Sequence, residues 1–390
     1  MEATIAYNAL SPQSGFCYRM SPFSIRLVVK ALRAFAGAPD LSFSAATGAC
    51  LAIVNDRGEC LSVLADMLAG HAPVQGGQIL VDGADVSISP ATRRPCMLVG
   101  WRDPLFSHLN VQANLAFPLR ARGMAAQAVA ARVSAVLALL GLDGLEAART
   151  DTLTPEQALR VMMGRALVAD PGVLVLEDPF TPLPPASRVA MRRLIGRLVR
   201  ARGLCVVLLT REREDALLLG DTIAYMSGME ILQAGSALDL FERPACDRVA
   251  TGFGHANSLT VRVASVEDDV AMAHLPGGLP VEAMAMPDVM ADRLATLCIR
   301  PDQIAVMFPT RPGMMASADP DGPPPLEATL TDLRQMGDHV LLRFRLENGE
   351  ELLARRPPTA ALQRVAPGRT ALLAWQPGQA IAFPFRGEME

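Results

Sequence analysis

The chain has 390 residues, 51% of them hydrophobic, and a net charge of -4. That length exceeds one ordinary core, so two domains are expected. The positive charge is almost all arginine, with Lys30 the only lysine, and the absence of a general basic excess argues against nucleic acid as a partner.

In chain order, the first two dozen residues carry no pattern to which a role can be assigned. From about residue 24 to 250 short apolar runs alternate with longer helical stretches, the pattern of an α/β domain. Cys50 to Val54 reads as a strand that hands over to a helix from Leu61 to Leu68, in which Leu61, Leu64 and Leu68 recur at helical spacing. "GVLVLEDP" (172–179) and "LCVVLLT" (204–210) are continuous apolar runs suited to buried parallel strands. Between them, Val189, Met191, Leu194, Ile195 and Leu198 form the apolar face of a crossover helix with arginines opposite.

After Gly254 the pattern changes. Val340, Leu342, Phe344 and Leu346 alternate with Leu341, Arg343 and Arg345 ahead of an Asn348-Gly349 hairpin signal. "ATLCIRPDQIAVMFP" (295–309) and "TALLAWQPGQAIAFP" (370–384) read as further short strands, so a small barrel-like β domain is expected, with Pro309 to Pro325 as a mobile loop inside it. No internal repeat is evident.

No window offers the ~18 uninterrupted apolar residues of a spanning helix, and no export signal is expected at the N-terminus. The high apolar content suggests burial against partners. The seven cysteines are scattered singly, without metal-ligand spacing, which fits reduced thiols in a cytoplasmic protein.

Several ordered stretches resemble the ATP-binding subunits of ABC importers, especially the polyamine, iron and sulfate type with a C-terminal TOBE domain: "LFSHLNVQANLAFPLRARG" (105–123), "VLVLEDPF" (173–180), "GDTIAYMSGMEILQAGSALDLFERP" (220–244), "VATGFGHANSL" (249–259) and "CIRPDQIAV" (298–306). The resemblance implies an N-terminal extension over 1–23, an ABC-type domain over 24–254 with a RecA-like parallel sheet and a helical subdomain at about 101–165, and a TOBE-like, OB-like β-barrel over 255–390.

It also implies where the chemistry lies, and each motif departs from the family pattern. The P-loop, whose glycines let backbone N–H groups converge on phosphates while a lysine bridges them, falls on Asn55, Asp56, Arg57, Gly58, Glu59, Cys60, Leu61, Ser62 and Val63. Leu61 stands in the lysine position, Asp56 and Glu59 add like charge beside a triphosphate, and Ser62 keeps the hydroxyl expected on Mg²⁺. The Q-loop glutamine falls on Trp101. The signature becomes "LTPEQ" (Leu153, Thr154, Pro155, Glu156, Gln157), where proline has no N–H and Glu156 is an anion. Walker B ends Glu177-Asp178, in reversed order: Glu177 takes the metal side and Asp178 is the remnant of a catalytic base. The D-loop aspartate falls on Pro184 and the switch histidine on Arg211. Trp101 and Arg211 either pair across the former active site or face water. Phe35 maps to the adenine-stacking aromatic, although a phenylalanine in such an apolar setting is ordinarily core.

Leu61 could equally fill the hollow of lysine and phosphate, so that the domain folds without nucleotide. The permease-docking segment keeps the family's look, with Phe106, His108, Val111, Asn114, Ala116 and Phe117. The implied protein is a pseudo-ATPase at the cytoplasmic face of a bacterial inner membrane. It would dock on permease subunits beside a second cassette or a second copy of itself, take no cofactor beyond weak Mg-ATP binding, and serve polyamine-type import. Two other readings stand beside it: an active transport ATPase with atypical motifs, and a small-ligand sensor acting through the TOBE domain, with Arg300 and Arg334 as anion contacts.

Overall fold

A computed structural model of the chain describes residues 24–55, 57–309, 323–359, 362 and 365–385. The expected N-terminal extension, most of the expected mobile loop and Asp56 lie outside the described residues. The chain divides into two compact units, residues up to 51 with 63–208, and residues 52–62 with 209 onward.

In the first unit β1 (Ile25–Arg33), β2 (Leu41–Ala46), β4 (Gly76–Val81) and β5 (Ala84–Asp85) make an antiparallel sheet in the order β2-β1-β4-β5. Strand β3 (Cys50–Val54), buried at every residue, leads into α1 (Gly58–Ala69). The helix begins three residues before the position indicated by apolar spacing. Next come β6 (Cys96–Gly100), α2 (Val111–Ala121), α3 (Ala126–Leu140), α4 (Pro155–Leu167), β7 (Val173–Glu177), α5 (Pro185–Arg202) and β8 (Cys205–Thr210). Strands β7 and β8 are also buried throughout, which explains their unbroken apolar runs. Strands β6 and β7 pair in parallel, Cys96 opposite Val173 and Gly100 opposite Glu177. Helix α5 buries Met191, Leu194, Ile195 and Leu198 as expected, but Val189 is 40% exposed and lies off that face.

The second unit contains α6 (Arg213–Leu219), the antiparallel pair β9 (Thr222–Ser227) and β10 (Glu230–Gly235), α7 (Ala237–Glu242) and α8 (Asp247–Gly252). Strands β3 and β8 change unit partway along.

The C-terminal β region is richer than one small barrel. Strands β11 (Asn257–Glu267), β12 (Val270–His274), β13 (Pro280–Ala285), β14 (Leu294–Ile299) and β20 (Ala380–Pro384) close a barrel in the order β11-β12-β13-β20-β14. A separate sheet is formed by β15 (Ala305–Met307), β16 (Leu326–Gln335), β17 (Val340–Leu346), β18 (Glu351–Arg356) and β19 (Thr370–Ala374), in the order β15-β19-β16-β17-β18. The predicted alternation holds in β17, where Val340, Leu342, Phe344 and Leu346 are all buried. Asn257 ties barrel to sheet: its amide donates to the Ile299 and Leu353 carbonyls, and its oxygen accepts from the Leu353 N–H.

Candidate functional site

The segment between β3 and α1 is organised by its own side chains. Asn55 is fully buried. Its amide donates to the Gly228 carbonyl at 2.8 Å, its oxygen accepts from the Arg57 N–H at 2.8 Å, and its N–H donates to the Thr210 carbonyl at 3.3 Å. A backbone N–H that a phosphate loop would turn toward its anion is thus satisfied internally. Leu61 is 1% exposed, a core residue of α1, while Ser62 is half-buried. Arg211 lies against Gly58, its Cδ 3.4 Å from where a Cβ would stand. Arg211 is exposed, and its place beside Gly58 is not among the arrangements expected from the sequence.

In the first unit the end of β7 is the most strongly organised charged site. Glu177 is 7% exposed. It receives Nε of Arg102 on both carboxylate oxygens, at 2.8 and 3.1 Å, and Nη2 on Oε2 at 2.9 Å. The same guanidinium reaches Asp66 of α1, Nη2 to Oδ1 at 3.0 Å and Nη1 to Oδ2 at 3.3 Å, and His71 Nδ1 stands 3.8 Å from Asp66. The fork on two carboxylates raises the pKa of Arg102, the Glu177 hydrogen bonds first and those of Asp66 next. Close approach is allowed by Gly100 opposite: a Cβ there would come within 3.2 Å of both Cβ and Oε2 of Glu177. Asp178 follows at φ 38°, a left-handed conformation that aspartate tolerates better than most side chains. Trp101 donates from its indole N–H to the Pro179 carbonyl at 3.0 Å, so the position expected for the Q-loop glutamine and the segment after β7 are brought together. Sequence reasoning missed Arg102. Its only signal was a charged residue immediately after the altered Q-loop position.

"LTPEQ" forms a capped helix start. Thr154 caps α4 by accepting the Gln157 N–H, and the Gln157 side chain accepts from the Thr154 N–H. This reciprocal box occupies backbone groups at the helix N-terminus. Pro155 opens the helix. Glu156 accepts from Arg160 at 2.7 Å, and its carboxyl is held below the usual range by a Ser187 hydrogen bond first and by Arg160 second. Pro184 stands at the N-cap position of α5 without a side-chain capping bond.

The docking segment separates into support and face. Val111 and Asn114 are fully buried, which corrects their expected place among contact residues. Asn114 accepts from the Phe106 N–H at 2.9 Å and donates to the carbonyls of Phe106, Leu109 and Asn110, fixing the turn ahead of α2. Phe106 and Phe117 pack with ring centroids 4.6 Å apart, beneath Arg165, and His108 and Phe117 are exposed. Phe35 is 57% exposed in the turn between β1 and β2, which overturns the expectation of a core position. In the C-terminal region Arg334 pairs with Asp332 at 2.9 Å, and Arg300 with Asp302 at 3.5 Å. No cluster of metal-ligating residues occurs among the described residues.

The ABC transporter family matches residues 38–181 and the TOBE domain family residues 297–383. The chain is 30% identical over 317 residues to a spermidine/putrescine import ATP-binding protein of Pseudomonas aeruginosa, covering 80% of this chain and 82% of the relative. It is 31% identical over 287 residues to an Fe(3+) ions import ATP-binding protein of Rhizobium etli, covering 74% and 80%. An sn-glycerol-3-phosphate import ATP-binding protein of Chromohalobacter salexigens is 30% identical over 317 residues, covering 81% and 82%.

Proposed function

The chain belongs to the family of ABC importer ATP-binding subunits that carry a C-terminal TOBE domain, and from that premise we propose that it is a pseudo-ATPase, a subunit that docks on a membrane permease without hydrolysing ATP. The observation that carries this reading is Arg102. Its guanidinium neutralises Glu177, the carboxylate on the metal side of Walker B, and so provides from within the chain the positive charge that a magnesium ion would bring.

The residues present do not fit Mg-ATP. Leu61 is packed where a lysine would reach phosphate, the Arg57 N–H is taken by Asn55, and the "LTPEQ" helix start is closed by its own box. A lysine to phosphate contact is a charge-assisted hydrogen bond worth ~1.5–3 kcal/mol, and the one lysine of the chain, Lys30, lies in β1, outside the loop. The protein would act by favouring one arrangement of an importer over another, with 24–254 as its ATPase-like domain and 255–390 as its TOBE-like domain.

Partners are permease subunits at the cytoplasmic face of the inner membrane, contacted through Phe106, His108 and Phe117, with a second ABC subunit beside this one. No helix among the described residues is long and apolar enough to cross a membrane. Polyamine import is the working assignment, because spermidine/putrescine importers recur among the relatives. Co-expression with a permease and an intact cassette tests the role. The complex should turn over ATP, and removing the intact cassette's lysine should abolish turnover; turnover sustained by this chain would refute the reading.

A second reading, nucleotide binding without turnover, is favoured by one observation, the outward-facing ring of Phe35.

A further inference from the structure

A shallow cavity of roughly 370 Å³ in the first unit is lined by Thr92, Arg93, Arg94, Arg122 and Asp170, among others. It lies where the chain enters β6 and β7, at the end opposite Gly100 and Glu177. Four residue steps, Cys96 to Gly100, separate the two ends, about 13 Å at ~3.3 Å per step. It is therefore distinct from the motif positions above and does not depend on how they are read.

The charges around it do not balance. Arg93, Arg94 and Arg122 line it beside one carboxylate, and that carboxylate, Asp170, already pairs with Arg132 at 3.4 Å. Arg94 is 3% exposed, and its hydrogen bonds all go to neutral carbonyls, those of Met67 and Leu68 at the end of α1 and of Ser87 and Ser89. A cation so buried is weakly screened by salt. Burial pushes its pKa down, so its charged form would gain from a nearby anion. Arg122 donates to the Ala169 carbonyl at 3.3 Å, and neither it nor Arg93 has a carboxylate partner among the described residues. The three arginines are carried by the entry to β6 and the end of α2, elements fixed before any ligand arrives.

We propose that this cavity binds a small phosphate-type oxyanion, inorganic phosphate or a phosphate monoester, between the exposed forks of Arg93 and Arg122. Planar guanidinium forks match tetrahedral oxyanions bidentately, and the Thr92 hydroxyl adds a further donor. The cavity has room for a phosphorylated small molecule as well as for phosphate itself.

The test is a calorimetric titration of the full chain with sodium phosphate against sodium chloride at matched ionic strength, in parallel with sedimentation on vesicles of phosphatidylcholine containing phosphatidic acid. The proposal expects saturable phosphate binding that weakens at least tenfold in Arg93→Ala/Arg122→Ala. A single Arg93→Glu variant should do the same if the double variant does not fold. Absence of phosphate binding, or binding unchanged in the variants, would overturn the site. Binding confined to the vesicles would also overturn it, since the anion would then be a lipid headgroup and not a soluble phosphate.

Discussion

Replacing Arg102 with alanine removes one guanidinium from two carboxylates at once. Glu177 is left with 8% of its side chain exposed and Asp66 with 28%, so the loss falls mainly on the buried partner. Breaking a fully buried pair costs about 3–5 kcal/mol, whereas an exposed pair is worth ~0.2–1 kcal/mol. Because Arg102 itself is 48% exposed, we place the cost between these limits, at about 2 kcal/mol. For a unit of about 200 residues that lowers the melting temperature by roughly 4–8 °C. Trp101 donates to Pro179, two residues beyond Glu177, so its fluorescence in a Trp375→Phe background reports this unit during urea unfolding. Glu177→Gln and the double variant complete a cycle in which coupling of at least about 1 kcal/mol is expected for groups in direct contact. A single variant within about 0.5 kcal/mol of the parent, with no coupling, would refute the claim that Arg102 is the counter-charge of Walker B.

Further outcomes follow from the same geometry. Asn55→Ala orphans the Arg57 N–H and the Gly228 carbonyl and should cost about 1–3 kcal/mol in chemical unfolding. Because the carboxyl of Glu156 is held below its ordinary value of 4.5, its stabilisation is complete above the unfolded pKa and lost as pH falls through the folded one. The melting difference between wild type and Glu156→Gln should therefore be present at pH 7 and shrink as pH falls below the ordinary carboxyl value of 4.5. Burial pushes the thiols of Cys96, Cys205 and Cys298 up to about 12. Iodoacetamide at pH 8 should spare these three and modify the half-buried Cys60 and Cys246, as read by mass spectrometry.

The parts of the fold legible in the sequence were those in which period and burial agree. Strands β7 and β8 were plain because both faces are buried, and β17 because one face is. The barrel's closure by parallel pairing of Met284 with Ile381 was not legible, since that contact joins strands nearly 100 residues apart. Helix α1 began earlier than expected because its first turn follows the Asn55 turn and carries no apolar period of its own. Of the candidate site the sequence indicated positions only: Trp101 bonds the Pro179 carbonyl just past β7, and Arg211 lies against Gly58. What no local pattern could reveal was Arg102 reaching Glu177 across 75 residues of chain, or that Val111 and Asn114 support the docking loop from within.

The central claim is that this subunit holds no Mg-ATP through its own loop. Titration of the purified chain with Mg-ATP to millimolar concentration, followed by thermal unfolding, tests it most directly. An unchanged transition is expected. A saturable rise approaching about 2.7 kcal/mol at 100 times the dissociation constant would contradict it, and would place phosphate at Gly58, Ser62 and the start of α1.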